Sequence, residues 1–501
     1  MLRKIRILLA AVTFTLITLL FLDLTGSLHV WLGWLAKIQF WPAVLAMNVA
    51  VVAGLLILTL IFGRIYCSVI CPLGILQDLI SALHSRTKRN RFSFSPEHRW
   101  LRYGVLIVFL ASCVAGINVI VSLLAPYSSY GRMVNSIVRP IWTAGNNVLA
   151  SIAERIDSYA FYSVDVWMRS LPTLIIAAVT FVIIAVLAWR GGRTYCNTIC
   201  PVGTILSFFA RFSWFKISID GDKCVSCRLC EKNCKASAID VKTGQIDYNR
   251  CVVCGNCIDK CHKSAIRYVH PNKAVARKTE NGHDTSHEDK GIDNGRRSFL
   301  LGAAIATTAA ALAQEKKKVD GGLAVIEDKV QPERATPITP PGSMSARHMA
   351  QHCTACQLCV SACPNDVLRP SSDLSKLMQP TMSYERGYCR PECTRCSEVC
   401  PAGAIKPITR EEKSSTQIGH AVWIKKNCVS VTDGVSCGNC ARHCPVGAIT
   451  MVPLHPGTDS KITIPAVNEA RCIGCGACEN LCPARPFSAI YVEGHEVHRT
   501  V

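Results

Sequence analysis

Charged residues and histidine are absent from four long stretches near the start of the chain, residues 7–22, 38–63, 103–130 and 171–189. About 20 apolar residues are needed to cross about 30 Å of hydrocarbon, so each stretch is predicted to span a membrane. The alternative, a large buried helical core, would normally use shorter helices. The lack of histidine argues against a histidine-ligated haem within the bilayer.

The chain also lacks a basic helix and a stripe of stacking aromatic residues, which argues against a nucleic-acid partner despite the formal net charge of +20. Lysine and arginine concentrate before the first predicted span and between the second and third. By the positive-inside rule, the N-terminus is cytoplasmic and four spans return the chain to the cytoplasm near Arg190. The sequence therefore predicts a protein of the bacterial inner membrane.

Two further absences divide the rest of the chain. No cysteine lies between Cys261 and Cys353, although the chain has 29, and residues 272–295 contain almost no apolar residue. Such a polar stretch is typical of a flexible linker. The predicted domains are a transmembrane domain, a two-cluster domain, a linker, a signal or anchor helix, and a four-cluster domain. Their respective bounds are residues 1–215, 216–270, 271–294, 295–313 and 314–501.

A twelve-residue pattern, G-R-x-Y-C-x-x-I-C-P-x-G, occurs at residues 63–74 and again at residues 192–203. Two cysteines four residues apart lie on one face of a helix, and the proline then sets a turn or a new helix start. The two copies contain Cys67, Cys71, Cys196 and Cys200. These thiols could meet around a metal, cycle as dithiols or simply pack, but a cytoplasmic position disfavours stable disulfides.

Six further runs of four cysteines follow, and most have the spacing C-x2-C-x2-C-x3-C. The fourth and fifth runs carry insertions in their first gap, of one residue in the fourth and a longer one in the fifth. The runs are Cys224, Cys227, Cys230 and Cys234; Cys251, Cys254, Cys257 and Cys261; Cys353, Cys356, Cys359 and Cys363; Cys389, Cys393, Cys396 and Cys400; Cys428, Cys437, Cys440 and Cys444; and Cys472, Cys475, Cys478 and Cys482.

This spacing is that of bacterial ferredoxins, in which three closely spaced thiolates bind one [4Fe–4S] cluster and the fourth reaches the neighbouring cluster. A lone C-x-x-C would equally fit zinc or a redox dithiol, but six complete runs favour six [4Fe–4S] clusters. All 24 predicted ligands are thiols, so nothing indicates a three-iron cluster or a Rieske centre. The remaining Cys113 is predicted to be a small buried apolar residue.

The runs are expected to work in pairs. For the first two runs, Cys261 is assigned to the cluster of the first run and Cys234 to that of the second. Lys235 and His262 replace the usual proline, and His262 is predicted to be a surface residue. The last four runs can pair in sequence, or nested as third with sixth and fourth with fifth. The insertions in the two middle runs favour nesting.

Short strands are expected after the cysteines, at residues 238–241, 265–269, 404–405, 448–451 and 489–492. Small α+β ferredoxin modules have little core of their own, and bound clusters supplement it. The predicted fold class is therefore a membrane α-helical bundle of four spans joined to α+β modules of the bacterial two-cluster ferredoxin type.

A twin arginine, Arg296 and Arg297, precedes an apolar segment that ends before Gln314, which is the pattern of a twin-arginine export signal. The signal would begin in the cytoplasm and deliver the following residues to the periplasm through the Tat export machinery. Cleavage after Ala313 would divide the protein, whereas an uncleaved signal would remain as an anchoring helix. A fifth span or an alanine-rich linker is the alternative interpretation.

With these motifs, residues 1–270 resemble the NapH family, the membrane ferredoxin-type proteins of periplasmic nitrate reductase systems. Residues 295–501 resemble the NapG and MauM family of exported four-cluster ferredoxins, although the two are ordinarily separate chains. The resemblance implies a quinol dehydrogenase that transfers electrons from the membrane quinone pool to a periplasmic reductase or cytochrome. It also implies that Cys67, Cys71, Cys196 and Cys200 take part in quinol oxidation.

Two other functions remain open: a redox maturation factor for a periplasmic metalloenzyme, and reverse electron flow from a cytoplasmic ferredoxin into quinone. A physical difficulty also remains, because about 30 Å of hydrocarbon would separate the cytoplasmic clusters from the outer ones. Either quinol carries electrons across, or the segment of residues 125–170 dips inward from its predicted outer loop.

Overall fold

The computed structural model describes residues 2–85, 92–158, 160–270, 327–455 and 462–500. A helical part occupies the chain up to Ala210 and is followed by two regions rich in cysteine. The predicted linker and the predicted twin-arginine segment, residues 271–313, lie outside the described residues.

The helical part combines the longest helices among the described residues with several short ones. They are α1 (Leu2–Leu22), α2 (Ser27–Leu32), α3 (Trp34–Lys37), α4 (Phe40–Leu45), α5 (Val49–Phe62), α6 (Tyr66–Val69), α7 (Pro72–Ser85), α8 (Arg99–Ala115), α9 (Asn118–Leu124), α10 (Pro126–Met133), a π-helix (Val134–Val138), α11 (Arg139–Glu154), α12 (Leu171–Gly191), α13 (Thr194–Thr198) and α14 (Pro201–Ala210).

Within the described residues, two helices are long and apolar enough to cross a membrane, namely α1 and α12. Both lack glycine and proline in their interiors, so nothing interrupts their backbone hydrogen bonds over 21 residues. They coincide with the first and fourth predicted spans. The apolar helix α5 is shorter, so the prediction of four membrane spans stays a prediction.

The second predicted span, residues 38–63, is not one continuous helix. It divides into α4 and α5 because Met47 adopts a left-handed backbone conformation (φ 51°), which an α-helix cannot continue. Asn48 then caps the start of α5, and its side-chain oxygen accepts a hydrogen bond from the Val51 amide at 3.3 Å.

The third predicted span, residues 103–130, is also divided. Helix α8 ends at a left-handed Gly116 (φ 74°), and Pro126 begins a separate helix, α10. Every residue of α10 is buried, and α10 packs against α7 and α12. The segment predicted to be an outer loop after residue 125 therefore starts with a helix buried in the protein.

The first cysteine-rich region is a small α+β unit. Its elements are β1 (Lys216–Ile219), α15 (Leu229–Lys232), β2 (Ile239–Asp240), β3 (Gln245–Ile246), α16 (Asn256–Lys260) and β4 (Ile266–Val269). Strand β1 pairs antiparallel with β4, with Lys216 opposite Val269, and β2 pairs with β3. Strands β2 and β4 confirm two of the predicted strand segments to within one residue at each end.

The second cysteine-rich region is longer and also α+β. Its helices are α17 (Ala346–His352), α18 (Leu358–Ala362), α19 (Arg395–Val399), α20 (Arg410–Ser415), α21 (Val429–Thr432), α22 (Asn439–Arg442) and α23 (Ala477–Asn480). Its strands are β5 (Leu368–Pro370), β6 (Pro380–Met382), β7 (Thr416–Trp423), β8 (Ile449–Pro453), β9 (Thr463–Val467) and β10 (Ile490–Thr500).

Three antiparallel pairs organise this second region: β5 with β6, β7 with β10, and β8 with β9. The strands predicted at residues 448–451 and 489–492 are confirmed by β8 and β10. The strand predicted at residues 404–405 is wrong: the next amide, that of Lys406, donates a single hydrogen bond to the Gly342 carbonyl at 2.9 Å. One bond to a loop does not make a strand ladder.

The two cysteine-rich regions contact opposite ends of α1. At its start, Arg3 forms an ion pair of 2.9 Å with Asp259 of the first region. At its end, α1 packs against α18 of the second region. A helix of 21 residues is about 30 Å long, so the helical part separates the two regions by roughly this length.

Candidate metal centres

Each copy of the repeated pattern begins at a helix end that requires glycine. Gly63 (φ 77°) follows α5 and Gly192 (φ 68°) follows α12, and both positive φ values are strained for other residues. The turn directs the next residue, Arg64 or Arg193, into the interior, where neither arginine is exposed to solvent.

The two arginines cross between the copies. Arg64 Nη2 donates to the Cys196 carbonyl at 3.1 Å, and Arg193 Nη1 donates to the Cys67 carbonyl at 2.5 Å. Each arginine therefore holds the first cysteine of the other copy. The two copies, far apart in sequence, face each other with approximate two-fold symmetry.

The close packing around these two cysteine carbonyls also explains why the pattern ends in glycine. A Cβ atom at Gly74 would lie 2.3 Å from the Cys67 carbonyl oxygen, and one at Gly203 would lie 2.4 Å from that of Cys196. The opposing arginine is close as well, since Arg193 Nη1 would be 2.9 Å from a Cβ at Gly74. No side chain fits at either position without displacing this backbone.

The four thiols of the repeat, Cys67, Cys71, Cys196 and Cys200, are each only 3–4% exposed. All four are free thiols and lie in the same buried cluster. N–H donors approach three of the four sulfurs. Gln77 Nε2 is 3.2 Å from Cys196 Sγ, the Gly203 amide is 3.4 Å from Cys200 Sγ, and Arg64 Nη2 is 3.9 Å from Cys67 Sγ.

Asp78 on α7 connects the repeated pattern to α1 and to the first cysteine-rich region. Its carboxylate lies 2.8 Å from Arg6 Nη1, 2.9 Å from Arg193 Nε and 3.6 Å from Lys235 Nζ. These three cations come from α1, from the second copy of the repeat and from the first cysteine-rich region. One buried carboxylate thus joins three parts of the fold, which sequence analysis did not identify. The sequence feature that could have indicated this role is that Asp78 is the lone acidic residue of the largely apolar helix α7.

The ferredoxin-type runs share a backbone turn. In the first, second, third and sixth runs, the residues directly before and after the second cysteine have a positive φ. In the third run these are Ala355 (φ 51°) and Gln357 (φ 63°), and in the sixth they are Gly474 and Gly476. Two left-handed residues on either side of one cysteine curl the loop tightly, so its three cysteines surround one small volume.

Small cavities lie where these thiols converge, and four of them are each lined by four cysteines. The groups are Cys234 with Cys251, Cys254 and Cys257; Cys363 with Cys389, Cys393 and Cys396; Cys482 with Cys428, Cys437 and Cys440; and Cys444 with Cys472, Cys475 and Cys478. In each group the fourth cysteine of one run joins three from its partner run. This exchange is the geometry that the ferredoxin spacing predicts.

The pairing among the last four runs is sequential. Cys400 lies near Cys353, Cys356 and Cys359, and Cys363 completes the site of the fourth run, so the third and fourth runs exchange their last cysteines. The fifth and sixth runs do the same. The nested pairing that the insertions favoured is therefore wrong, because the longer first gaps still leave the first three cysteines of each run around one cavity and do not change the partner run.

The environment of the thiols fits iron–sulfur clusters. The fourth cysteine of several runs accepts a backbone hydrogen bond at its sulfur, from Ala238 to Cys234 at 3.4 Å and from Ala448 to Cys444 at 3.2 Å. Burial raises the pKa of Cys251 to about 12 and that of Cys475 to about 12. Iron binds the thiolate, so cluster assembly at these sites would release protons.

The pairing can be tested by removing one complete site. Replacing Cys353, Cys356, Cys359 and Cys400 by alanine should lower the iron content by about four atoms per chain, the content of one cluster. The matched control replaces Cys482 instead of Cys400 and should damage two sites, lowering iron by up to about eight atoms. Iron analysis of the purified proteins distinguishes them, and the reverse order would establish nested pairing.

Helix α10 links the repeat to the third run, which sequence analysis did not foresee. Tyr195 Oη donates to the Leu124 carbonyl just before α10 at 3.3 Å. On α10, Arg132 Nη1 donates to the Ser122 carbonyl at 2.8 Å, and a Cβ at Gly131 would lie 2.4 Å from the Cys356 carbonyl oxygen. The third run thus contacts α10, and Tyr195, next to Cys196, contacts Leu124 at the end of α9, just before α10 begins.

Comparisons with known proteins agree with this geometry. A family profile described as "4Fe-4S binding domain" matches residues 44–91 and 171–220, and one described as "4Fe-4S dicluster domain" matches residues 352–404 and 435–485. The second profile thus matches residues 352–404, which contain the third and fourth runs together.

Several curated relatives are similar over about a third of the chain. The methylamine utilization ferredoxin-type protein MauM of Methylobacillus flagellatus is 30% identical over 166 residues, which cover 32% of this chain and 70% of the relative. MauM of Paracoccus denitrificans is 31% identical over 168 residues, covering 32% and 73%. The ferredoxin-type protein NapF of Escherichia coli K12 is 31% identical over 159 residues, covering 32% and 87%.

Proposed function

Because the chain belongs to the 4Fe-4S ferredoxin-type proteins that include MauM and NapF, we propose that it is a quinol dehydrogenase of the inner membrane. Its chemistry is iron–sulfur electron transfer, in which each cluster takes up and releases one electron at a time. In this proposal electrons pass from membrane quinol to a periplasmic reductase, of the nitrate-reductase type, or to a cytochrome.

The proposal assigns a NapH-like role to residues 1–270 and a NapG-like role to residues 295–501. The 24 cysteines of the six runs hold six [4Fe–4S] clusters, and the four repeated thiols belong to the electron path. The first region lies in the cytoplasm, and the second is delivered to the periplasm by the Tat export machinery. Their contacts with opposite ends of α1 support this placement.

The observation that carries the proposal is a cavity of about 770 Å³ between α1, α7 and the first cysteine-rich region. Ligand pockets for small organic molecules usually measure about 300–1,000 Å³. The wall formed by α1 and α7 is mostly apolar, and the wall formed by the first cysteine-rich region is polar and basic. The apolar wall includes Ile7, Ala10, Phe14, Ile75 and Leu79 together with the ion pair of Arg6 and Asp78, and the basic wall includes Lys232, Lys235 and Lys260.

This division suits a quinol, which has a polar ring and an apolar isoprenoid tail. The tail would lie along α1 and α7, and the ring would face the basic wall. Arg6 is buried, and its Nε atom has no hydrogen-bond partner among the described residues. A buried donor without a partner is costly, and an oxygen of the quinol ring would satisfy it.

The cavity also lies beside predicted cluster ligands. Its lining residues Leu229, Lys235, Asn256 and Lys260 are the direct chain neighbours of Cys230, Cys234, Cys257 and Cys261. Oxidation of a quinol releases two electrons and two protons. A quinol ring at this position would stand next to the acceptors for its electrons, and the open basic face gives its protons a route to water.

A substitution that fills the cavity tests this proposal. Ala11 lines the cavity, so Ala11→Trp should slow the reduction of the clusters by a quinol analogue at least about tenfold, since excluded substrate loses its binding energy. Val12, the next residue on α1, is exposed and does not line the cavity. Val12→Trp is therefore the matched control and should leave the rate unchanged.

The measurement is anaerobic electron paramagnetic resonance of membranes, with dithionite as a reductant that does not need the cavity. Dithionite should reduce the clusters equally in both variants and in the unaltered protein. If quinol reduces no cluster in any of them while dithionite does, the proposal is wrong. A maturation role for a periplasmic metalloenzyme would then be the better explanation.

A further inference from the structure

The two segments that match the "4Fe-4S binding domain" profile pose a problem of ligand number. Residues 44–91 contain two cysteines, Cys67 and Cys71, and residues 171–220 contain two, Cys196 and Cys200. A [4Fe–4S] cluster is held by four cysteine thiolates. Neither segment can therefore provide a complete set alone, whereas both together can.

The fold brings the two segments together at these cysteines. The crossed contacts of Arg64 with the Cys196 carbonyl and of Arg193 with the Cys67 carbonyl fix the two copies face to face. Arg64 Nη2 lies 3.9 Å from Cys67 Sγ and 3.1 Å from the Cys196 carbonyl oxygen, so one atom contacts both copies. All four cysteines lie in the same buried cluster.

The donors around the sulfurs are those expected around a cluster rather than around neutral thiols. Hydrogen bonds to the sulfurs tune iron–sulfur clusters and stabilise their negative charge. The side-chain amide of Gln77 and the backbone amide of Gly203 approach Cys196 Sγ and Cys200 Sγ. Three of the four sulfurs thus each have a buried N–H donor, which neutral thiols in a purely structural role would not need.

Arg64 is a buried cation beside these thiols. Its side chain is completely buried, and among the residues that the structure describes no carboxylate forms an ion pair with it. Its contacts are the Asn197 side chain, the carbonyls of Asn249 and Cys196, and Cys67 Sγ. A buried cation without a counter-charge is strongly unfavourable, so the site requires an anion next to Arg64.

Other uses of four thiols fit less well. None of the four forms a disulfide. In the described part of the chain, no group of three or more cysteine, histidine or acidic side chains is close enough to hold a single metal ion. Each thiolate of a cubane binds a different iron atom, so its four sulfurs stand further apart than the ligands of one ion.

We propose that Cys67, Cys71, Cys196 and Cys200 together ligate a seventh [4Fe–4S] cluster, with Arg64 and Arg193 as its buried counter-charges. Four thiolates and an oxidised cubane core of charge +2 carry a net charge of −2, which two arginines balance. Asp78 offsets part of the charge of Arg193. Because the same carboxylate also lies beside Arg6 and Lys235, this group of side chains keeps a net positive charge.

A cluster at this position would narrow the predicted wide gap. On one side, Arg64 Nη1 donates to the Asn249 carbonyl at 2.8 Å, two residues before Cys251 of the second run. On the other side, Tyr195 contacts Leu124, and the adjoining helix α10 contacts Cys356 of the third run. The seventh cluster would stand between the two sets of clusters and divide the path into shorter steps.

Iron and acid-labile sulfide analysis of the anaerobically purified full-length chain tests the proposal. The unaltered protein should contain about 28 iron atoms per chain, four for each of seven clusters. The variant Cys67→Ala/Cys71→Ala/Cys196→Ala/Cys200→Ala should lose about four of them, the content of one cubane. Cys113→Ala, a lone cysteine in α8, is the matched control and should lose none.

Two results would overturn the proposal: a fully loaded protein with about 24 iron atoms, the content of six clusters, or a loss of no iron in the fourfold variant. The count for the unaltered protein decides the matter even if the fourfold variant does not fold. A second variant, Arg64→Met, retains all four thiols and should shift the reduction potential of one spectral component after titration with dithionite. Unchanged potentials would contradict the assigned counter-charge.

Because dithionite rather than quinol is the reductant, this test does not depend on the proposed quinol dehydrogenase activity. If seven clusters are found and quinol reduces none of them, the seventh site is correct and the proposed substrate is wrong. If quinol reduces the clusters but only six are found, the proposed substrate is correct and the seventh site is wrong.

Discussion

Replacing Asp78 by alanine is expected to destabilise the helical part by about 3–5 kcal/mol, the usual cost of removing one partner from a buried ion pair. The carboxylate lies between Arg6, Arg193 and Lys235. Its loss would leave these cations close together without their shared anion. Since Arg193 also holds the Cys67 carbonyl, the repeated thiols should lose their alignment in the same variant.

Thermal unfolding of the purified protein in detergent, followed by tryptophan fluorescence, measures this effect. The matched control is Asp259→Ala, which removes the partner of Arg3 in an exposed ion pair. Exposed pairs contribute about 0–1 kcal/mol, so the control should unfold almost as the unaltered protein does. Equal changes in both variants would show that Asp78 does not join the three parts of the fold.

The second large effect is expected at Gly74 and Gly203. Each Gly→Ala change places a Cβ atom within 2.4 Å of a cysteine carbonyl oxygen, which belongs to backbone and cannot rotate away. Overpacking of this kind costs about 1–3 kcal/mol and sometimes more. The displaced carbonyls are those that Arg64 and Arg193 hold, so these variants should also lose about four iron atoms from the seventh site.

Gly54 in α5 provides the control, because no atom lies within 4 Å of a Cβ built there. In a helix interior, alanine is favoured over glycine by about 1 kcal/mol. Gly54→Ala should therefore keep or raise the unfolding temperature and retain all iron. Normal stability and iron content in Gly74→Ala would contradict the close packing of the two copies.

The ferredoxin-type cysteines illustrate what sequence spacing can predict. The three close cysteines of a run are held together by a few peptide bonds, so their convergence is a local property. The turn that closes them, with left-handed residues such as Ala355 and Gln357, is local too. The partner of each run is different: sequential and nested pairing satisfy the same spacing, and only the packing of whole regions distinguishes them.

Hydropathy likewise predicts apolar segments but not their continuity. Residues 38–63 remain uncharged throughout, yet the left-handed Met47 divides them into two helices. Apolar content is a property of side chains, whereas a helix break depends on backbone conformation and on what the flanking helices pack against. The buried helix α10 escaped prediction for the same reason, since its partners α7 and α12 are distant in sequence.

The sequence by itself determined that the chain carries iron–sulfur ferredoxin modules and a repeated pair of cysteines, because ligand type and spacing are written in consecutive residues. Only the tertiary structure decided which cysteines share a site, that the two copies of the repeat face each other, and that Asp78 joins three distant cations. These contacts connect residues that are far apart in sequence, such as Arg6 and Asp78, 72 positions apart, and Arg64 and Cys196, 132 positions apart. They depend on the free energy of burying charges and packing backbones together, which no local pattern contains.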